Sequence, residues 1–174
     1  MRSLIVMFVL SLGLYANALS LPENFKADFT QKITNTKDKV IAYKGKVYFS
    51  NKSMFKWNYT EPTKKEVCTD GHELIVVDHD LEQVSVYAID KGFNFSKILE
   101  KAKLHQKNIY VAKYENKSYT IQTDPKGRLH SIAYFDELDN KVQIIFKKVK
   151  YGKGNLSKKT MRCKIPKAYD MIRG

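Results

Sequence analysis

The sequence is poor in the residues that do chemistry. Two cysteines and four histidines are spread through 174 residues. Cys68 and Cys163 lie far apart and form no CxxC motif, and no histidines accompany them at metal-ligand spacing. Whether they pair as a disulfide depends on whether their strands are neighbours, which the sequence leaves open. His72, His79, His105 and His130 show no HxxxH spacing. His79 does sit between Asp78 and Asp80, an arrangement more typical of a polar turn than of a metal site. A GxSxG nucleophile elbow and a glycine-rich phosphate loop are both missing. Asp136, Glu137 and Asp139 read as a solvated turn. These absences leave no catalytic residue, metal ligand or cofactor motif to nominate, and the chain is expected not to be an enzyme.

Long apolar runs are also scarce. The one candidate runs from Leu4 to Leu14 behind Arg2 and is followed by Ala16-Asn17-Ala18. It is too short to cross a bilayer and has the layout of a secretory signal peptide, with cleavage expected after Ala18. That division gives a signal peptide over 1–18 and one domain over 19–174, long enough to bury a core. The lipid-anchored alternative needs a cysteine just behind the signal, and the first cysteine is Cys68. The exported chain is therefore expected to be free of its own lipid. No linker, low-complexity segment or convincing repeat divides it.

Acidic residues are outnumbered, 18 against 31 basic, for a net charge of +13. Such a field favours acidic partners, membrane surfaces included, although a solvated lysine-rich surface explains it as well. Lysines interleaved with tyrosines raise single-stranded nucleic acid as a ligand. An export signal removes the protein from most nucleic acid, so none is expected as partner.

What the chain has in abundance is alternation. Phe25, Ala27, Phe29, Gln31 and Ile33 share one face of a strand, with Lys26, Asp28, Thr30 and Lys32 on the other. Ile41 to Phe49 repeats the pattern, with Gly45 marking a bend or bulge. In MFKWNYTEP, residues 54–62, Phe55, Trp57 and Tyr59 share one face before a Glu-Pro turn. Strands are then expected near 65–69, 73–78 and 83–89, the first two joined at Asp70-Gly71. KILEKAKLH, residues 97–105, spaces Ile98, Leu99 and Ala102 as a helical face, with His105 at its end. Further strands are expected over 108–114, 118–123, 129–135, 142–151 and 158–165. About eleven short consecutive strands and one helix make a sheet that curls and has a concave face. Taken alone, Phe55, Trp57 and Tyr59 imply only ordinary core packing. In a concave sheet they also suit an apolar ligand.

FKADFTQKI at 25–33, YKGKVYF at 43–49, MFKWNYTEP, TDGHELIVVDHDLEQVSV at 69–86 and KIPKAYDMI at 164–172 together resemble the LolA family of periplasmic lipoprotein carriers. The matches keep order and spacing over most of the exported chain. The resemblance implies a mainly β fold with helices: an unclosed, strongly curved antiparallel barrel of eleven strands under a helical lid. It implies a chaperone that accepts triacylated lipoproteins from an inner-membrane ABC transporter, shields their acyl chains, and delivers them to an outer-membrane receptor or to the membrane itself. The carrier is expected to work as a monomer. By the family's pattern Phe29, Val47, Phe49, Phe55, Trp57 and Tyr59 face the cavity, Ile98 and Leu99 lie on the lid, and Phe93 and Phe95 stand at its entrance.

Two departures stand out. Cleavage after Ala18 leaves only residues 19–24 for the amphipathic helix that usually precedes the first strand. The arginine that helps close the lid in this family is replaced by Asn51, with Lys52 beside it, and a lysine cannot reproduce the guanidinium fork. Lys52 is then expected to take a weakened gating role. The alternative function, a lipid- or lipoprotein-sensing regulatory module of the same fold, usually comes with a second domain or a membrane anchor.

Overall fold

The computed structural model describes residues 19, 22–50, 54–69, 71–88 and 95–173. The expected signal peptide, the Asp70 position, Asn51, Lys52 and Phe93 lie outside them.

The alternating segments form β1 (Asn24–Thr34), β2 (Val40–Ser50), β3 (Met54–Glu61), β4 (Lys65–Thr69), β5 (Glu73–Asp78) and β6 (Gln83–Ala88). After a helix, α1 (Phe95–Glu100), come β7 (Lys103–Gln106), β8 (Ile109–Tyr114), β9 (Lys117–Thr123), β10 (Leu129–Phe135) and β11 (Lys141–Gly152). A short helix, α2 (Lys158–Met161), and β12 (Asp170–Arg173) complete the chain. The twelve strands form one sheet in the order β12-β6-β5-β4-β3-β2-β1-β11-β10-β9-β8-β7. β12 and β7 are its two edges, so the barrel is unclosed. The expected meander is therefore two meanders, joined where β1 pairs antiparallel with β11.

Short polar side chains set the turns. Asn35 Oδ1 accepts from the amides of Lys37 and Lys39 between β1 and β2. Asp124 Oδ1 takes the amides of Lys126 and Arg128 between β9 and β10. Asp136 Oδ1 does the same for Leu138 and Asn140 between β10 and β11. Each is an Asx turn, in which the side chain closes a loop that the backbone alone would leave open.

Three expectations fail. The helix stops at Glu100 rather than running to 105, because Lys103–Gln106 leaves it to pair with β8 as an edge strand. Residues 158–165 are not a strand: Ser157 caps α2 by accepting the Thr160 amide, and extended chain follows. A strand was not expected at 170–173, yet β12 lies parallel to β6.

The sheet wraps around α1. The Phe95 ring lies 4.9 Å from Phe55 on β3 and 6.4 Å from Phe146 on β11, and Lys101, just past α1, places its ammonium 5.2 Å from the Tyr114 ring on β8. One helix of six residues reaches three such separate strands only inside a strong curve.

The outer face of half the sheet has a covering of its own. The chain from Leu156 onward crosses it strand by strand like a strap. The Leu156 amide donates to Ser50 Oγ on β2, the Lys56 ammonium on β3 donates to the Arg162 carbonyl, and the Lys164 amide donates to Glu66 on β4. Cys163 is disulfide-bonded to Cys68 on β4, which answers the pairing left open by the sequence. Tyr169 meets His79 at the end of β5, and β12 then joins β6. Beneath the strap Met161, Val77 and Val84 are fully buried.

Candidate functional site

The inner face is built from the alternation of β1, β2 and β3. Phe25 stands opposite Phe49, and Ala27 opposite Val47. Across the next ladder Phe49 faces Phe55, Val47 faces Trp57, and Gly45 faces Tyr59. The missing side chain at Gly45 is a packing requirement, since a Cβ there would collide first with the Asn58 carbonyl of β3 and would also stand 2.9 Å from the Phe29 ring. Phe29 uses the space, lying edge-on to Trp57 at 4.8 Å and to Tyr59 at 5.1 Å. A second chain of rings runs Phe25–Phe49 at 5.4 Å, Phe49–Phe55 at 4.9 Å and Phe55–Phe95 at 4.9 Å. Offset and edge-to-face pairs at these distances are attractive but not tightly directional.

Phe29, Val47, Phe49, Phe55, Trp57, Phe95, Ile98 and Leu99, all nominated from the sequence, lie buried in one apolar cluster, with Tyr59 half-buried against it. Phe93, Asn51 and Lys52 fall outside the described residues. Sequence reasoning missed the far wall: Ala112, Ile121, Ile132, Ile144 and Phe146 on β8 to β11 belong to the same cluster. Their alternation was visible, but nothing in it said that β11 would lie beside β1. β11 carries a bulge where Lys148 takes a φ of 51°. The extra residue turns both Lys147 and Lys148 outward and returns Val149 to the inside, which keeps the interior apolar.

Charge is kept out of this interior. Among the described residues, the buried charged side chains are Lys56 and Glu66, paired at 2.8 Å on the outer face. The polar groups inside include tyrosines gathered toward one end, with Gln31 among them. Burial, then the neighbouring Tyr134 and Tyr43, hold the Tyr59 phenol well above the usual range, and its hydroxyl donates to Gln31 Oε1. Burial likewise pushes Tyr134 up to about 12, with Tyr119 and Asp136 adding to it. The Tyr59 and Tyr134 phenols are therefore neutral hydrogen-bonding groups at physiological pH.

Among the described residues, Glu66, Cys68 and Cys163 bring a carboxylate and two sulfurs within 4.8 Å of one another. They are already engaged: the sulfurs are bonded to each other, and Glu66 Oε2 receives both Lys56 and the Lys164 amide.

An open antiparallel sheet wound around interdigitated rings, with a short helix seated in the curve, defines a class: a β container for apolar material. The comparisons give the family. The model described as "Outer membrane lipoprotein carrier protein LolA" matches residues 21–159, and the chain belongs to that family. It is 34% identical over 173 residues to the outer-membrane lipoprotein carrier protein of Campylobacter jejuni, covering 99% of each chain. With the protein of the same description from Wolinella succinogenes it shares 32% identity over 124 residues, 71% of this chain and 72% of the other. Among solved structures, an uncharacterized conserved protein from Thermus thermophilus superposes with a TM-score of 0.57 at 12% identity, covering 88% of this chain and 92% of that one. That likeness supports the fold alone.

Proposed function

We propose that this protein is a periplasmic lipoprotein carrier that holds the acyl chains of its cargo against the inner face of the sheet. The observation that carries the reading is the interior itself: rings that pack on one another, no charged side chain among the described residues that line it, and a six-residue helix that closes the curve through Phe95, Ile98 and Leu99. Each methylene withdrawn from water is worth about 0.8 kcal/mol, so a triacylated protein cannot cross an aqueous space unshielded. Rings in mutual contact can part and re-close around an acyl chain with apolar contact on both sides of the exchange. Phe29, Val47, Phe49, Phe55, Trp57 and Tyr59 then form the wall that the acyl chains replace one another against. Phe95, Ile98 and Leu99 are displaced as cargo enters, and the family resemblance assigns Phe93 to the same entrance. Asn51 and Lys52 sit where the family's lid-holding arginine would be, and Lys52→Ala should alter uptake or release if Lys52 has inherited that role.

Cargo would come from an inner-membrane ABC transporter and go to an outer-membrane receptor or to the membrane directly. The family and the named relatives support the carrier reading, and the apolar interior supports binding of acyl chains. The test is to incubate the exported protein with inner-membrane vesicles that hold a labelled lipoprotein and the transporter. A soluble one-to-one complex is expected. A folded protein that forms none would favour a sensing module of the same fold instead.

A further inference from the structure

We propose that the bare outer wall formed by β11, β1 and β2 is a docking surface for a bilayer rich in anionic phospholipid. The strap covers the outer face from the Ser50 end of β2 across to β6, but no described segment covers the rest of β2 or the outer faces of β1 and β11. Across the ladders Lys150 stands opposite Lys26, and Asp28 lies between Lys147 and Lys46. Lys148 projects from the β11 bulge beside them, and Lys32 continues the row on β1. All six lysines are exposed. The one carboxylate on this stretch, Asp28, pairs with Lys148 at 3.2 Å. The other five lysines have no ion-pair partner among the described residues. Lys26, Asp28, Lys46, Lys148 and Lys150 border a shallow groove, with the half-buried Tyr48 at its side.

The form of this surface indicates its ligand. Strand spacing and rise make it about 10 Å wide and 20 Å long, too broad for one phosphate and lacking the converging donors that would fix one. It carries lysines and no arginine, so it presents mobile point charges rather than planar forks. That suits headgroups free to rearrange laterally and suits ordered polyanions less. The bulge supports the same reading, because it turns two successive lysines outward where alternation allows one. β1 lies in the middle of the strand order. A chain docked here therefore turns its free edges, β12 and β7, toward the aqueous side, where protein partners reach them.

Docking is independent of what the interior holds, so vesicle binding and cargo binding are measured separately, and either can fail without the other. The probe is co-sedimentation of the exported protein with phosphatidylcholine vesicles, with and without phosphatidylglycerol. Binding is expected only with the anionic lipid, weakening as salt rises. Each lysine near an anionic surface contributes about a five-fold gain in partition. The triple variant Lys26→Gln, Lys46→Gln and Lys150→Gln should therefore lose about 100-fold. A control triple of exposed lysines, Lys103→Gln, Lys107→Gln and Lys113→Gln, removes the same charge elsewhere and should lose less than about ten-fold. Equal losses in the two variants, with both folded by circular dichroism, would overturn the site. So would vesicle binding that ignores lipid charge, or an acidic protein or oligonucleotide captured in preference to the vesicles.

Discussion

On the inner face, α1 meets the sheet through Phe95, Ile98 and Leu99, packed among rings that need only apolar contact. On the outer face the strap is fastened by directed bonds: a disulfide, a buried ion pair, backbone amides given to Ser50 and Glu66, and a four-residue parallel ladder. One sheet thus has two coverings of opposite character. On the proposed carrier mechanism the difference follows from what each must do. A covering that yields to acyl chains cannot be bolted down, whereas a sheet whose interior is periodically emptied needs its shape held from the other side. The strap ties β2 to β6 from outside, independently of whatever fills the curve.

The contrast is easiest to break at the ion pair. Lys56 and Glu66 side chains are only 7% and 8% exposed. Glu66→Ala should strand a buried ammonium with the Arg162 carbonyl as its remaining partner and cost about 3–5 kcal/mol. The double variant Lys56→Met with Glu66→Leu should recover most of that loss, since well-packed apolar replacements of buried pairs are often neutral. Urea unfolding midpoints measure both. Removing the disulfide with Cys68→Ser and Cys163→Ser should cost about 2–4 kcal/mol, because the crosslink closes a long loop of the unfolded chain. Neither change should reduce binding of an acyl-chain probe at a temperature where the variant remains folded. Lost binding there would mean that the two faces are not independent.

The same contrast explains which features the sequence made legible. Period-two alternation identified nearly every strand of the inner wall, because burying one face and wetting the other is what fixes that period. It failed where a segment's surroundings are non-local. Ile98, Leu99 and Ala102 continue plausibly to His105 as a helix, yet Leu104 is largely exposed and opposite Tyr110 in a ladder. Residues 158–165 mix polar and apolar positions well enough for a strand, but their hydrogen bonds go to the strap's own turn and to β3 and β4. DMIR at β12 is too short for any pattern and takes its conformation from β6, about ninety residues away, as non-local partners often dictate. The ring-bearing stripe was therefore readable, while the strap, and with it the disulfide, was not. Contact order rather than composition separates the two.

A smaller effect probes the yielding side. Phe95→Leu keeps an apolar side chain in place but removes its ring contacts with Phe55, Phe49 and Phe25. The smaller side chain leaves part of the ring's volume unfilled and should cost on the order of 1–2 kcal/mol, which the fold should survive. If α1 is the displaceable covering, the variant should take up an environment-sensitive fatty-acid probe faster than the unaltered protein, as read by stopped-flow fluorescence. Slower uptake by the folded variant would instead make the ring a guide for the entering chain rather than a plug.

The smallest effect lies in the turns, which serve both faces alike. Burial opposes ionisation of Asp136, but the Asn140 side chain and amide, the Leu138 amide and the charge of Lys117 outweigh it and hold the carboxyl below its usual range. Asp124 is lowered chiefly by the Arg128 amide, against some desolvation, with the Arg128 guanidinium and the Lys126 amide adding to it. At Asp78 the cost of burial is overcome by Lys65 and by the Leu81 and Asp80 amides. A folded-state pKa below the unfolded value of about 3.9 means that the unfolded chain binds protons first as pH falls. The stabilisation is thus complete above about pH 5 and is lost as pH drops through 3.9 toward the folded values. Melting temperature should be flat near neutrality and decline below about pH 4. Asp136 and Asp124 close hairpins in the half of the sheet that the strap does not cross, and Asp78 ends a strand under the strap. Asp136→Asn and Asp78→Asn, which keep the amide-accepting oxygen and remove the charge, should therefore flatten the acid limb by similar amounts. A decline that only Asp78→Asn abolished would place the acid sensitivity in the strapped half alone.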